Sequence, residues 1–130
     1  MKRRTCLKTI VAGALGAAAH AADAGRPIQL HCDLAVDPAK EKQMLHHFET
    51  VFKPAAAKFA GFMDVKMIKL RSAPMGKAPA GMNYRFVLTY QSEELRQKWI
   101  NSDVHQKVWP PIENMLADKN YTVLLFDVAA

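Results

Sequence analysis

The chain has 130 residues, half of them hydrophobic, and a formal charge of +6, which is one domain's worth of sequence. Four of its 18 Lys and Arg (Lys2, Arg3, Arg4 and Lys8) lie at the very start. Without them 14 basic residues stand against 12 acidic, with no clustered Lys/Arg stripe, so the composition excludes a nucleic-acid binder.

The opening residues, Met1-Lys2-Arg3-Arg4-Thr5-Cys6-Leu7-Lys8, resemble a twin-arginine export signal: an arginine pair, two residues, then Leu-Lys. The weakly apolar run from Thr9 to Ala19 is too short to span a bilayer. Ala19-His20-Ala21 and Ala22-Asp23-Ala24 are both A-x-A cleavage patterns. The expectation is a removed signal over residues 1–24 and one domain over 25–130, periplasmic or secreted by the twin-arginine route, with no stable membrane insertion after processing. A Sec signal is the nearest alternative. Cys6 would leave with the signal, so Cys32 stands alone and no intrachain disulfide can form. Cys32 reads as a small buried strand residue.

Ile28 to Val36 alternates, with Ile28, Leu30, Cys32, Leu34 and Val36 on one face of a predicted strand and Gln29, His31, Asp33 and Ala35 on the other. Asp37-Pro38 starts a helix whose buried stripe is Met44, Phe48, Val51, Phe52, Ala55 and Phe59. Pro54 predicts a kink or break there, and Gly61 the end. A second strand is expected from Phe62 to Leu70, with Met63, Val65 and Met67 on one face. A Pro/Gly/Ala-rich loop covers Ser72 to Gly81, and a third strand Tyr84 to Tyr90. Ser92 caps the next helix, carrying Leu95 and Trp99 one turn apart. Ser102-Asp103 caps a short helix through Val108, which Pro110-Pro111 should end; the last strand is expected from Tyr121 to Val128. The order β-α-β-β-α-β is the ferredoxin-like α+β plan, an antiparallel sheet with helices on one face. Two copies could pair the other faces into a dimeric barrel, hiding Phe, Tyr and Met side chains.

The stretch from Ser92 to His105 carries Ser, six residues, Trp99, two residues, Ser102, two residues and His105. With the passage from Pro54 into Gly61-Phe62 and the aromatic-rich last strand, it resembles the antibiotic biosynthesis monooxygenase superfamily of dimeric α+β barrels. The resemblance covers most of residues 25–130. It implies a homodimer and a small electron-rich aromatic or quinol-type substrate, held between helices and sheet of each protomer and reacting with oxygen, in some members without metal or flavin. Trp99 falls where the haem-degrading branch keeps a pocket Trp. That branch's haem-ligating His falls at Trp109 here, and its strand-one Asn has no counterpart among His31, Cys32 and Asp33. The expected activity is therefore monooxygenation without a cofactor; a non-catalytic dimer holding an apolar ligand or haem is the alternative.

Among candidate residues, His31 could deprotonate a phenol while Asp33 orients it; the alternative is a polar strand face satisfied by a partner copy or water. Trp99, His105 and Trp109 could line a pocket for a flat ring, or Trp99 could be core with His105 at a turn. Tyr84 and Arg85 could bind a ligand oxygen or make cross-strand pairs. His46 and His47 are adjacent, about 100° apart on a helix, and form no metal pair. Met44, Met63, Met67, Met75 and Met82 form no tight Met-x-Met cluster, so no metal is expected.

Overall fold

A computed structural model describes residues 26–130; the expected export signal lies outside the described residues. Strand β1 (Ile28–Val36) buries every second side chain. Ile28, Leu30, Cys32, Leu34 and Val36 face the helices; Gln29, His31, Asp33 and Ala35 face the opposite, open side. Asp37 then caps the first helix, its carboxylate accepting the Ala39 N–H at 2.9 Å.

That helix, α1, changes pitch along its length. A 3-10 turn at Pro38–Lys40 leads into α-helix over Glu41–His47, a π-helical turn over Phe48–Phe52 and α-helix again over Lys53–Ala56. Pro54 has no N–H to return to the preceding turn. The expected break is instead a widened turn, in which the Lys53 N–H bonds back to the Phe48 carbonyl. The widening also moves the buried stripe. Met44, Phe48, Phe52 and Ala56, spaced by four, are buried, whereas Val51 is 43% exposed.

Strand β2 (Phe62–Lys69) carries a bulge against β3 between Phe62 and Asp64. Val65 and Met67 pack toward the helices, and Met63, expected beside them, is turned out and exposed. Strand β3 (Tyr84–Tyr90) buries Tyr84, Phe86, Leu88 and Tyr90. Helices α2 (Glu93–Ile100) and α3 (Asp103–Val108) begin at Ser92 and Ser102, whose hydroxyls accept the Leu95 and His105 N–H groups, each at 3.2 Å. Pro110-Pro111 does not end the helical region. Proline suits a first turn, and the pair opens a further one, α4 (Pro110–Glu113). Strand β4 (Leu116–Asp127) starts well before the expected Tyr121, because a bulge carries it past Asp118–Tyr121 and back into register with β1.

The sheet order is β2-β3-β1-β4, antiparallel throughout: the ferredoxin-like α+β fold. Asn83 clamps one end of the sheet. Its side chain accepts the Val36 N–H and donates to the Val36 carbonyl, both at 2.8 Å, as a strand backbone would. Between helices and sheet, the Phe52 ring meets Phe86 (5.4 Å), Trp99 (5.7 Å) and Trp109 (5.8 Å). Of the Phe, Tyr and Met side chains expected on the open face, Phe126 is there, whereas Tyr84, Phe86 and Tyr90 lie under the helices. The apolar residues of the open face are Ile68, Val87, Leu124 and Phe126.

Gly61 joins α1 to β2 with φ +89°, and a Cβ there would stand 2.6 Å from Leu95 Cδ1 and 2.8 Å from Leu95 Cβ. Gly61→Ala is expected to lower stability by about 2–4 kcal/mol, from backbone strain and the clash together. Urea unfolding measures it, and a loss below about 1 kcal/mol would show that α2 yields freely at Leu95.

Candidate functional site

The sheet divides the predicted site residues into two groups. His31, Asp33 and Arg85 stand on the open face. Arg85 Nε donates to Asp33 Oδ1 at 2.6 Å, so Arg85 makes the cross-strand pair. His31 Nε2 lies 3.0 Å from Gln29 Oε1, its ring edge meets Phe126 at 4.9 Å, and its Nδ1 is buried without a partner. Tyr84 is on the helix side but engaged elsewhere. Its hydroxyl donates to Glu41 at 2.5 Å, and Glu41 also receives Lys69 at 2.6 Å. Burial, then the Glu41 bond, push the Tyr84 phenol up to about 12.

Trp99, His105 and Trp109 do come together on the helix side. Ser102 folds α3 back onto α2: its hydroxyl donates to the Trp99 carbonyl at 2.6 Å and accepts the His105 N–H. That turn sets the His105 ring 5.1 Å from Trp99, edge to face, and 6.4 Å from Trp109, nearly parallel at 16°. Trp99 itself is 1% exposed and packs on Phe59 and Phe52. The His105 backbone takes the turn's cap while its ring Nδ1 is buried with no partner.

Two further residues belong to this cluster that sequence reasoning missed. Trp109 Nε1 donates to Tyr121 Oη at 3.0 Å, and Tyr121 Oη donates to Glu113 Oε2 at 2.7 Å. Glu113 was hidden by the proline pair, which reads as a stop, and Tyr121 by the bulge that precedes it. Proline's fitness for a first helical turn was the available signal for α4 and its Glu113.

The electrostatics follow from burial. Desolvation lowers the His105 pKa; the Glu113 charge opposes this and the Arg96 charge adds to it. The imidazole is therefore neutral at pH 7 and able to accept a proton. Burial, with the Glu113 bond, pushes the Tyr121 phenol up, so it stays protonated and holds its donor role. Arg96 is itself held by Glu93 through paired bonds of 2.6 and 2.8 Å. Cys32, also on this side of the sheet, is pushed up to about 12 by burial and then by Asp33, so it is no nucleophile. The arrangement is a neutral base in an aromatic wall, with a carboxylate–phenol–indole chain fixing that wall.

No sequence family and no curated protein matches the chain. Solved structures do. The chain is similar to a provisionally named antibiotic biosynthesis monooxygenase from Caulobacter crescentus, with TM-score 0.63 and 16% identity over 82% of this chain and 92% of that one. It is similar to a dimeric ferredoxin-like protein of unknown function from Thermobifida fusca (TM-score 0.58, 17% identity, 80% and 92% covered). It is similar as well to a hydroxynitrile lyase from Passiflora edulis (TM-score 0.63, 8% identity, 80% and 94% covered). These likenesses show the ferredoxin-like α+β fold. Proteins of that shape carry names from different chemistries, so function has to come from the site.

His31 and His105 both have pKa values lowered from 6.5, with desolvation the largest cause. The unfolded chain then binds more protons than the folded one as pH falls below 6.5, so stability is full above that value and declines through the lowered folded pKa values. Glu41 and Glu93, held below 4.5 chiefly by their bonds to Lys69 and Arg96, add a second decline on further acidification. Thermal unfolding from about pH 8 to 3 should show both stages. A melting temperature flat down to pH 5 would contradict the burial of the two imidazoles.

Proposed function

We propose that the processed chain is an exported homodimeric monooxygenase that oxidises a phenol- or quinol-type aromatic with molecular oxygen, without a tightly held metal or haem. The observation that carries this reading is the His105 imidazole, neutral by burial, lacking a partner at Nδ1 and set between two indoles.

In this reading the substrate ring lies along the Trp99–Trp109 wall and His105 takes its hydroxyl proton. The phenolate, electron-rich at a free ring carbon, reacts there with oxygen to give a ring hydroperoxide. Loss of water leaves a quinone carbonyl. A phenol with one unsubstituted para position and one O2 thus give one quinone and one water; the substrate supplies all the electrons, and His105 returns its proton to the departing oxygen. Trp109 orients the ring, and Tyr121, anchored by Glu113, fixes Trp109 as a positioning residue.

Haem does not fit these residues. The position where the resemblance places its ligand is Trp109, whose indole nitrogen can only donate and already donates to Tyr121.

Pairing of two copies through the open face is supported by its uncovered Leu124 and Phe126, 42% and 47% exposed, and by the dimeric description of the Thermobifida protein. His31 and Asp33 then belong to the face between copies rather than to the substrate site, with Arg85 at the end of that face, where β3 begins. Export through the twin-arginine route rests on residues 2–8 and the A-x-A patterns.

The deciding experiment is oxygen uptake on a panel of phenols and 1-naphthols with an unsubstituted para position, with quinone absorbance as the second readout. His105→Phe should lose about 100-fold or more of the wild-type rate, and the wild-type rate should fall on acidification below pH 6.5 as the imidazole takes a proton. An unaltered rate in the variant removes His105 from the chemistry. Ligand binding with no oxygen uptake by the wild type would mean a binding dimer. Native mass spectrometry of the exported protein should give a dimer of a chain starting near Gly25, and Phe126→Arg should give a folded monomer; a dimeric Phe126→Arg overturns the open-face pairing.

A further inference from the structure

A cavity lies at the corner of the sheet where β2 ends and β3 begins. It measures about 200 Å³ and is lined by Ile68, Lys69, Leu70, Arg71, Met82 and Arg85. Three of these are cations and three are apolar. Lys69 sends its ammonium to Glu41 and Arg85 its Nε to Asp33, but Arg71 has no ion pair among the described residues. Arg71 and Arg85 both line this one small cavity, and of the two only Arg85 has a carboxylate partner. An anion seated between them would meet a planar, permanently charged donor fork on either side. The rest of the wall asks for a hydrocarbon: Ile68 is 47% and Leu70 36% exposed, and Met82 supplies an adaptable thioether. An apolar cavity of about 150 Å³ holds one benzene ring, so this one has room for a ring and a carboxylate.

We propose that this corner cavity is a binding site for a small aromatic carboxylate, its carboxylate between Arg71 and Arg85 and its ring against Ile68, Leu70 and Met82. The site is separate from the His105 cluster and does not depend on the reading of that cluster. Asp33 serves it as a positioning residue, because its bond at 2.6 Å holds the Arg85 fork in place.

The test is ligand-observed NMR titration of the full processed protein with benzoate, benzyl alcohol and acetate. Benzoate should bind at least about tenfold more tightly than either of the others, since only it satisfies both walls. Arg71→Ala should weaken benzoate about fivefold or more and leave benzyl alcohol unchanged, because it removes one charge-assisted hydrogen-bonding partner at a partly solvated site. Ile68→Lys adds a cation but removes the apolar wall, so it should weaken benzoate too, which a purely electrostatic association would not show. His105→Phe, which alters the other site, should leave benzoate binding as in wild type. Equal binding of benzoate and benzyl alcohol, or loss of benzoate binding in His105→Phe, overturns the proposal. So does an Arg71→Ala variant that changes the dimer's dissociation constant but not benzoate binding, for the cavity would then be part of the interface between copies.

Discussion

Strand β1 is hydrogen-bonded on both sides, to β3 and to β4, and its alternation decides what lies on each face of the sheet. A slip of one residue would carry five apolar side chains out of the core and bring His31 and Asp33 into it. The energies are lopsided. Each large aliphatic side chain moved from core to water costs about 1.5–3 kcal/mol, and each uncompensated charge moved inward several more. The alternation is therefore held firmly, and the Asn83 clamp at Val36 secures it where the β4 bulge weakens the ladder.

With that strand set, the helix side is organised around four rings. Phe52, Phe86, Trp99 and Trp109 come from α1, β3, α2 and the junction of α3 with α4, and they meet one another edge to face. Truncating a buried aromatic of this kind costs about 3–5 kcal/mol, a large share of a small domain's stability. Two of the same rings, Trp99 and Trp109, form the wall on which His105 lies. Folding and site geometry thus depend on the same packing. The π turn in α1 accompanies a buried stripe spaced by four, with Phe48 and Phe52 in the core and Val51 left exposed.

The sheet margins have the opposite character. Val123, Leu124, Leu125 and Phe126 run consecutively along the β4 edge, each between 42% and 50% exposed, and their side chains alternate between the two faces. An apolar edge strand of this length invites pairing. A domain of this size also buries a smaller fraction of its surface than a large one, and association supplies what a single core cannot. The Asp33 carboxylate on the open face is matched by Arg85, so that face carries no unpaired acid there.

Much was legible in the sequence because it is encoded locally. The period of two in residues 28–36 and 84–90, the caps at Asp37, Ser92 and Ser102, and the order of elements all follow from neighbours in the chain, and the fold follows from them. So does the Trp99–Ser102–His105 turn, whose bonds span three residues. The bulges in β2 and β4 depend on the opposing strand, and they decided that Met63 turns out and that β4 begins at Leu116. The tertiary structure alone sorted the candidate residues: Cys32 toward the helices, His31 and Asp33 away from them, Tyr84 to Glu41, and Tyr121 and Glu113 to Trp109. The physical reason is that a strand's alternation defines two faces but does not say which one the helices will cover. That choice is made by where apolar volume from distant segments packs together, and the side chains that share a site are selected with it.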